Sequence, residues 1–222
     1  LLILAALTAV AACSDGGSSD TTDFDGVIAS DNLSGTISVS VPAALASAAA
    51  PSFSGAGSAG PTEPSATVNV TATLKIKGGS NTNLTGTYDL DAKALGLSGG
   101  GYSFTATFAN GQLSGTFTGP GGGGLFTAFS RRGGDVELFC GTFTGDAAGV
   151  WNLARRGNGL VGAFHENGGA GAGTLAGTLN GNNISLTFSG GTATGTMSGT
   201  NISGSWTAGG DNGSWSGSRS GC

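Results

Sequence analysis

Leu113-Ser114-Gly115-Thr116-Phe117 is an apolar-x-Gly-x-apolar unit, and it returns as Leu33-Ser34-Gly35-Thr36-Ile37 and Leu84-Thr85-Gly86-Thr87-Tyr88. Further copies run from Phe24 to Ile28, Phe139 to Phe143, Leu160 to Phe164, Leu175 to Leu179, Ala193 to Met197 and Ile202 to Trp206, while Trp215 to Arg219 ends in a charge. Side chains alternate across an extended strand, so the apolar pair and the glycine share one face and Ser or Thr takes the other. Each copy therefore reads as a half-buried strand. A glycine between two bulky inward residues permits the sharp coiling of a closed or tightly packed sheet, and it lowers the intrinsic stability of the strand.

Working outward, turn-forming residues separate the units: Asn110-Gly111, Asn158-Gly159, Asn180-Gly181-Asn182-Asn183 and Gly210-Asp211-Asn212-Gly213. These residues tolerate the positive φ of tight hairpins, which join antiparallel neighbours. Strands without the glycine unit fill the gaps, with Val68, Val70, Ala72, Leu74 and Ile76 on one face, then Tyr102, Phe104, Ala106 and Phe108, then Ile184, Leu186 and Phe188. From Asp135 to Cys222 there are about eight strands, the number at which a small barrel closes around side chains or one ligand. The expected fold over residues 24–222 is all-β: an antiparallel meander of short glycine-containing strands forming a closed or strongly coiled barrel, with a β-sandwich as the alternative. A sub-division falls near residue 134, and the earlier strands either extend the same barrel or pack as a second sheet. Pro42 to Ala66, rich in Ala, Ser, Pro and Gly, reads as a low-complexity insertion, with room for a helical turn from Ala43 to Ala50.

Composition narrows the function classes. Charged residues make up 9% of the 222-residue chain and 45 residues are glycine, yet the glycines do not fall at every third position and apolar residues alternate, which excludes collagen and disfavours simple disorder. A net charge of -5 with eight Lys and Arg leaves no basic surface for nucleic acid or for anionic lipid.

Leu1 to Ala12 is an apolar run of leader length, too short to span a bilayer core of roughly 30 Å. It ends in Val10-Ala11-Ala12-Cys13, which resembles the lipobox of bacterial lipoproteins. The resemblance implies a signal peptide over 1–12, lipid on Cys13 and membrane attachment through that lipid. Ser14 at the position after the cysteine is similar to outer-membrane cargo, implying an exported protein held at the outer membrane. The alternative is an ordinary secretory leader whose cleavage site abuts a cysteine. Residues 13–23 are polar and glycine-containing, as a flexible tether would be. With Cys13 assigned to lipid, Cys140 and Cys222 remain as a pair, and in an exported protein a disulfide is the natural reading. Their shared parity with the polar face, one in the first of eight strands and one past the last, supports barrel closure.

Gly149-Val150-Trp151 followed late in the chain by Arg219 resembles lipocalin- and avidin-type barrels, in which an early G-x-W tryptophan is covered by a late arginine. Gly204-Ser205-Trp206 and Gly213-Ser214-Trp215 carry the same three-residue pattern. Leu84 to Tyr88 is similar to a strand of avidins, but the other biotin-contacting positions have no counterparts, so biotin is not expected and no cofactor is assigned. His165 and Glu166 are the pair suggestive of acid or base work, and strand alternation sends them to opposite faces; convergence of His165, Glu166, Asp146 and Arg155 in one cavity is what an enzyme would need. Without it the chain is not expected to be one. Arg131-Arg132 and Arg155-Arg156 read as solvated rims, able to attract an anion if they met at one barrel mouth. Outward Ser and Thr argue against a transmembrane barrel. The inward set, including Phe143, Trp151, Phe164, Trp206 and Trp215, leaves two function classes. One is a structural or surface scaffold with a filled interior. The other is a barrel that binds a small apolar ligand or an envelope partner.

Overall fold

The computed structural model describes residues 21–31, 33–42, 66–169 and 171–222. The expected leader, Cys13, most of the tether, the helical turn from Ala43 to Ala50 and nearly all of the insertion lie outside the described residues. The fold is all-β and antiparallel, in two closed eight-stranded barrels. The first comprises β1 (Thr21–Ser30), β2 (Ser34–Pro42), β3 (Thr67–Ile76), β4 (Asn81–Asp89), β5 (Ala94–Gly99), β6 (Tyr102–Ala109), β7 (Gln112–Gly119) and β8 (Gly122–Ser130). The second comprises β9 (Val136–Gly145), β10 (Gly149–Arg156), β11 (Gly159–Glu166), β12 (Ala172–Asn180), β13 (Asn183–Phe188), β14 (Gly191–Ser198), β15 (Asn201–Ala208) and β16 (Asp211–Ser218). Each is a meander in which consecutive strands pair and the last closes on the first. A single 3-10 turn, Arg131–Gly133, joins them.

Neither the sandwich nor one enlarged barrel describes the chain. The division near residue 134 is the junction between two separately closed barrels. β1 begins at Thr21, three residues before the expected boundary at Phe24. Thr21-Thr22-Asp23 shows no apolar alternation, but its backbone pairs with Ser40-Val41-Pro42 of β2.

The glycine unit works across strands as well as along them. In the first barrel Gly26 lies opposite Ile37 and Gly35 opposite Ile28, and Gly115 lies opposite Phe126. In the second, Gly141 faces Trp151, Gly213 faces Trp206 and Gly204 faces Trp215. A side chain too large for a tightly coiled sheet thus finds its room over a neighbour that has none, which also covers the exposed glycine backbone. Hairpins turn where expected or one residue away. Asn110 and Gly111 both have positive φ, 54° and 78°, whereas the turn expected at Asn158-Gly159 is Gly157-Asn158, with positive φ at Gly157.

Two cores result. The first barrel is filled, with Phe104 stacked on Phe117 at 5.3 Å and met edge-on by Phe126 at 5.3 Å. Tyr88 is buried there, and desolvation, then the neighbouring Asp89 charge, pushes its phenol above the ordinary range.

A third apolar cluster, Phe129, Ala154 and Val161 with Val136 and Leu138 against it, lies between the barrels. It explains why β1 is buried on both faces over most of its length. At its centre the fully buried Asn152 on β10 donates through Nδ2 to the Ile28 carbonyl, while its Oδ1 accepts from Ser34 Oγ at 2.9 Å. Arg156 donates to the Ser130 carbonyl at 2.7 Å and lies over the Phe129 ring at 4.8 Å.

Candidate functional site

The second barrel differs from end to end. Toward one end Leu153, Leu160, Leu179, Ile184 and Ile202 fill the interior. At the other, where β9, β11, β13 and β15 finish, the wall residues are aromatic and enclose a cup of about 130 Å³. Phe143, Trp151, Phe164, Phe188, Trp206 and Trp215 line it, with Leu175, Leu186 and Ala193 between the rings and Glu166 and Ser189 as its polar groups.

Edge-to-face contacts fix the rings. Trp151 meets Trp215 at 5.2 Å, Phe143 meets Trp206 at 6.0 Å and Phe164 at 6.2 Å, and Phe164 meets Phe188 at 5.3 Å. Such pairs add about 0.5–1.5 kcal/mol each beyond area burial. Each indole also spends its one donor on the backbone of another strand: Trp151 Nε1 donates to the Thr142 carbonyl at 3.0 Å, Trp206 Nε1 to Thr144 at 3.2 Å and Trp215 Nε1 to Ser205 at 3.1 Å. The three tryptophans are therefore oriented by the protein itself, and they present carbon surface to the cup. Glycine makes this possible, because a Cβ on Gly141 would lie 2.5 Å from the Trp151 ring and one on Gly195 2.5 Å from the Trp215 ring.

The candidates read from sequence fall into two groups. Trp151, Phe164, Trp206 and Trp215 come together in the cup, Phe164 being the least buried of the four. Arg219 does not join them. It sits in a 3-10 turn after β16, near the filled end, where its guanidinium pairs with Glu137 and lies 5.9 Å over the Phe139 ring. The ring that meets Trp151 is Trp215 rather than the arginine implied by the lipocalin and avidin resemblance. Glu137 also takes Arg155 at 2.7 Å, so one carboxylate is held between two guanidiniums. Beside this cluster the Cys140–Cys222 disulfide, Cα atoms 4.9 Å apart, ties the turn after β16 to β9.

His165, Glu166, Asp146 and Arg155 do not converge. Glu166 faces the cup, His165 faces outward with Nδ1 2.9 Å from the Glu166 carbonyl, and Asp146 Oδ2 accepts from the Asn212 backbone and side-chain nitrogens at 2.9 and 3.1 Å. The arginine pairs approach each other through Arg156, at the seam rather than at a mouth, while Arg155 is held by Glu137. Arg131 pairs with Asp25, and that hydrogen bond raises its pKa further, while Arg156 reaches the adjacent Ser130 carbonyl. Glu166, singled out in the sequence only beside His165, was not read there as part of an inward cup. Its signal was parity with the inward Phe164, two residues earlier on the same strand. Among the described residues no group of three or more His, Cys, Asp or Glu could hold a metal ion, and no helix is long and apolar enough to cross a membrane.

The sequence matches no protein-family model, and no curated protein matches it significantly.

Proposed function

We propose that this chain is an exported, lipid-anchored envelope protein whose second barrel holds a small, largely apolar or aromatic ligand in its aromatic cup, with the first barrel as scaffold. One observation carries the reading: six rings, fixed by one another and by backbone carbonyls, leave about 130 Å³ between them instead of closing it. An apolar cavity of about 150 Å³ takes up benzene, so a single ring or a compact branched group is the right size. The filled first barrel favours the scaffold reading for that half alone. Attachment through Cys13 is supported by the Val10-Ala11-Ala12-Cys13 motif, and a disulfide suits the oxidising compartment beyond the inner membrane.

The test of binding is tryptophan fluorescence, since all three tryptophans line the cup. Titration with benzene or indole analogues should quench or shift the emission saturably, and no response to any neutral or charged small ligand would leave only the scaffold. For the anchor, palmitate label should enter the wild type and not Cys13→Ala; equal labelling would remove it.

A further inference from the structure

We propose that the ligand of the aromatic cup is a compact organic cation, an ammonium nitrogen carrying methyl or methylene groups, seated against the rings with its charge toward Glu166. This inference rests on the reading of the cup as a ligand site and names the class of ligand.

Three independent features point to positive charge. Aromatic faces carry negative potential, and an ammonium clad in carbon gains from them while filling apolar space. The cup's indole donors are already used, since all three N–H groups are bound to backbone carbonyls. A carboxylate or carbonyl ligand would therefore find no indole partner. Glu166 lines the cup, and its carboxylate has no hydrogen bond or ion pair among the described residues.

Charge is also segregated along the barrel axis. The Lys and Arg residues of 136–222 are Arg155, Arg156 and Arg219, and all three lie toward the filled end, engaged by Glu137 or the seam. The turns around the cup instead carry Asp146 and Asp211 beside Glu166, and Asp31 reaches the same rim by accepting from the Gly168 backbone nitrogen at 2.8 Å. An anion would approach a rim of four carboxylates, of which Glu166 lines the cup itself. A neutral ligand capping the cup would strip water from Glu166 and return nothing for it. A cation replaces that water with an opposite charge.

The test uses the intact, disulfide-bonded protein and two probes of one shape: choline, and its uncharged analogue in which tert-butyl replaces trimethylammonium. Choline should bind about tenfold more tightly than the neutral analogue, the scale expected of a partly desolvated cation on aromatic faces. Glu166→Gln should reduce that preference by weakening choline alone, leaving the share owed to the aromatic faces, and added salt should weaken choline selectively. Equal or tighter binding of the neutral analogue to the wild type overturns the cation inference and leaves the cup as an apolar site. Preference for choline that survives unchanged in Glu166→Gln overturns the role given to that carboxylate. Failure of both probes, and of neutral aromatics, overturns this inference together with the proposed function.

Discussion

A Cβ placed on Gly141 would stand 2.1 Å from the Ser216 carbonyl oxygen and 2.5 Å from the Trp151 ring, whereas one placed on Gly96 would meet nothing within 4 Å. The two glycines sit in similar strands with opposite duties. Gly141 faces inward and makes room for an indole. Gly96 faces outward, its backbone has no positive φ, and its missing side chain only loosens the unfolded chain. Gly141→Ala should therefore destabilise by about 1–3 kcal/mol through overpacking and alter ligand response at the cup, while Gly96→Ala should stabilise by about 0.4–1 kcal/mol. Urea denaturation checks both, and equal effects at the two positions would refute this division. The inward parity of Gly141 was legible in Phe139-Cys140-Gly141-Thr142-Phe143, because period-two alternation fixes a face. That its partner is Trp151 was not, since the pairing register depends on where the hairpin turns.

Strand elements were most legible where sequence supplied two kinds of signal. In the second half, regular units, turn residues and two cysteines of like parity led to eight strands and closure, and β9 to β16 form that barrel with Cys140 and Cys222 joined. In the first half the glycine units were just as plain, but the insertion from Pro42 to Ala66 hid the β2 to β3 succession and no covalent mark showed that β1 meets β8. The disulfide links residues 82 positions apart. A loop of that size corresponds to about 4 kcal/mol on the chain-entropy model, so reduction should lower the Tm by roughly 10 °C for a chain of this length. Calorimetry with and without reductant should show that difference in the wild type. It should be absent from a Cys140→Ser, Cys222→Ser double variant, and a wild-type Tm indifferent to reductant would count against the bond's role.

For the molecule as a whole, the seam decides whether two barrels behave as one. Val27, Ala29, Thr127, Phe129, Asn152, Ala154, Val161 and Ala163 point away from their own barrel interiors and are all buried. The Thr127 hydroxyl has no hydrogen-bonding partner among the described residues. The sequence did hold a signal for this surface. Val27-Ile28-Ala29 and Leu160-Val161-Gly162-Ala163-Phe164 are apolar on both faces, as doubly covered strands are, but the dominant glycine unit draws attention to alternate positions only. Asn152 looked like an ordinary outward polar residue, and its partners Ile28 and Ser34 are more than a hundred residues away. Removing its two hydrogen bonds in Asn152→Ala should cost about 2–3 kcal/mol, since it strands buried partners. All three tryptophans lie in the second barrel and both tyrosines in the first, so each barrel has its own optical reporter. Their urea transitions should coincide in the wild type and separate in Asn152→Ala; coincident transitions in the variant would show that the apolar cluster alone couples the barrels.

Closure of a meander also sets an order of events in time. Neighbouring hairpins need only short loops and form within about 1–10 μs, whereas β9 and β16 find each other last, across nearly the whole length of their barrel. Until they do, the growing sheet has two bare edges, each a template for pairing with another chain. Ser218 lies opposite Cys140 in the closing register, next to the turn that carries Cys222. Oxidation therefore captures the barrel at the moment its edges disappear. The bond then acts as a ratchet against reopening, which would expose edges able to seed aggregates.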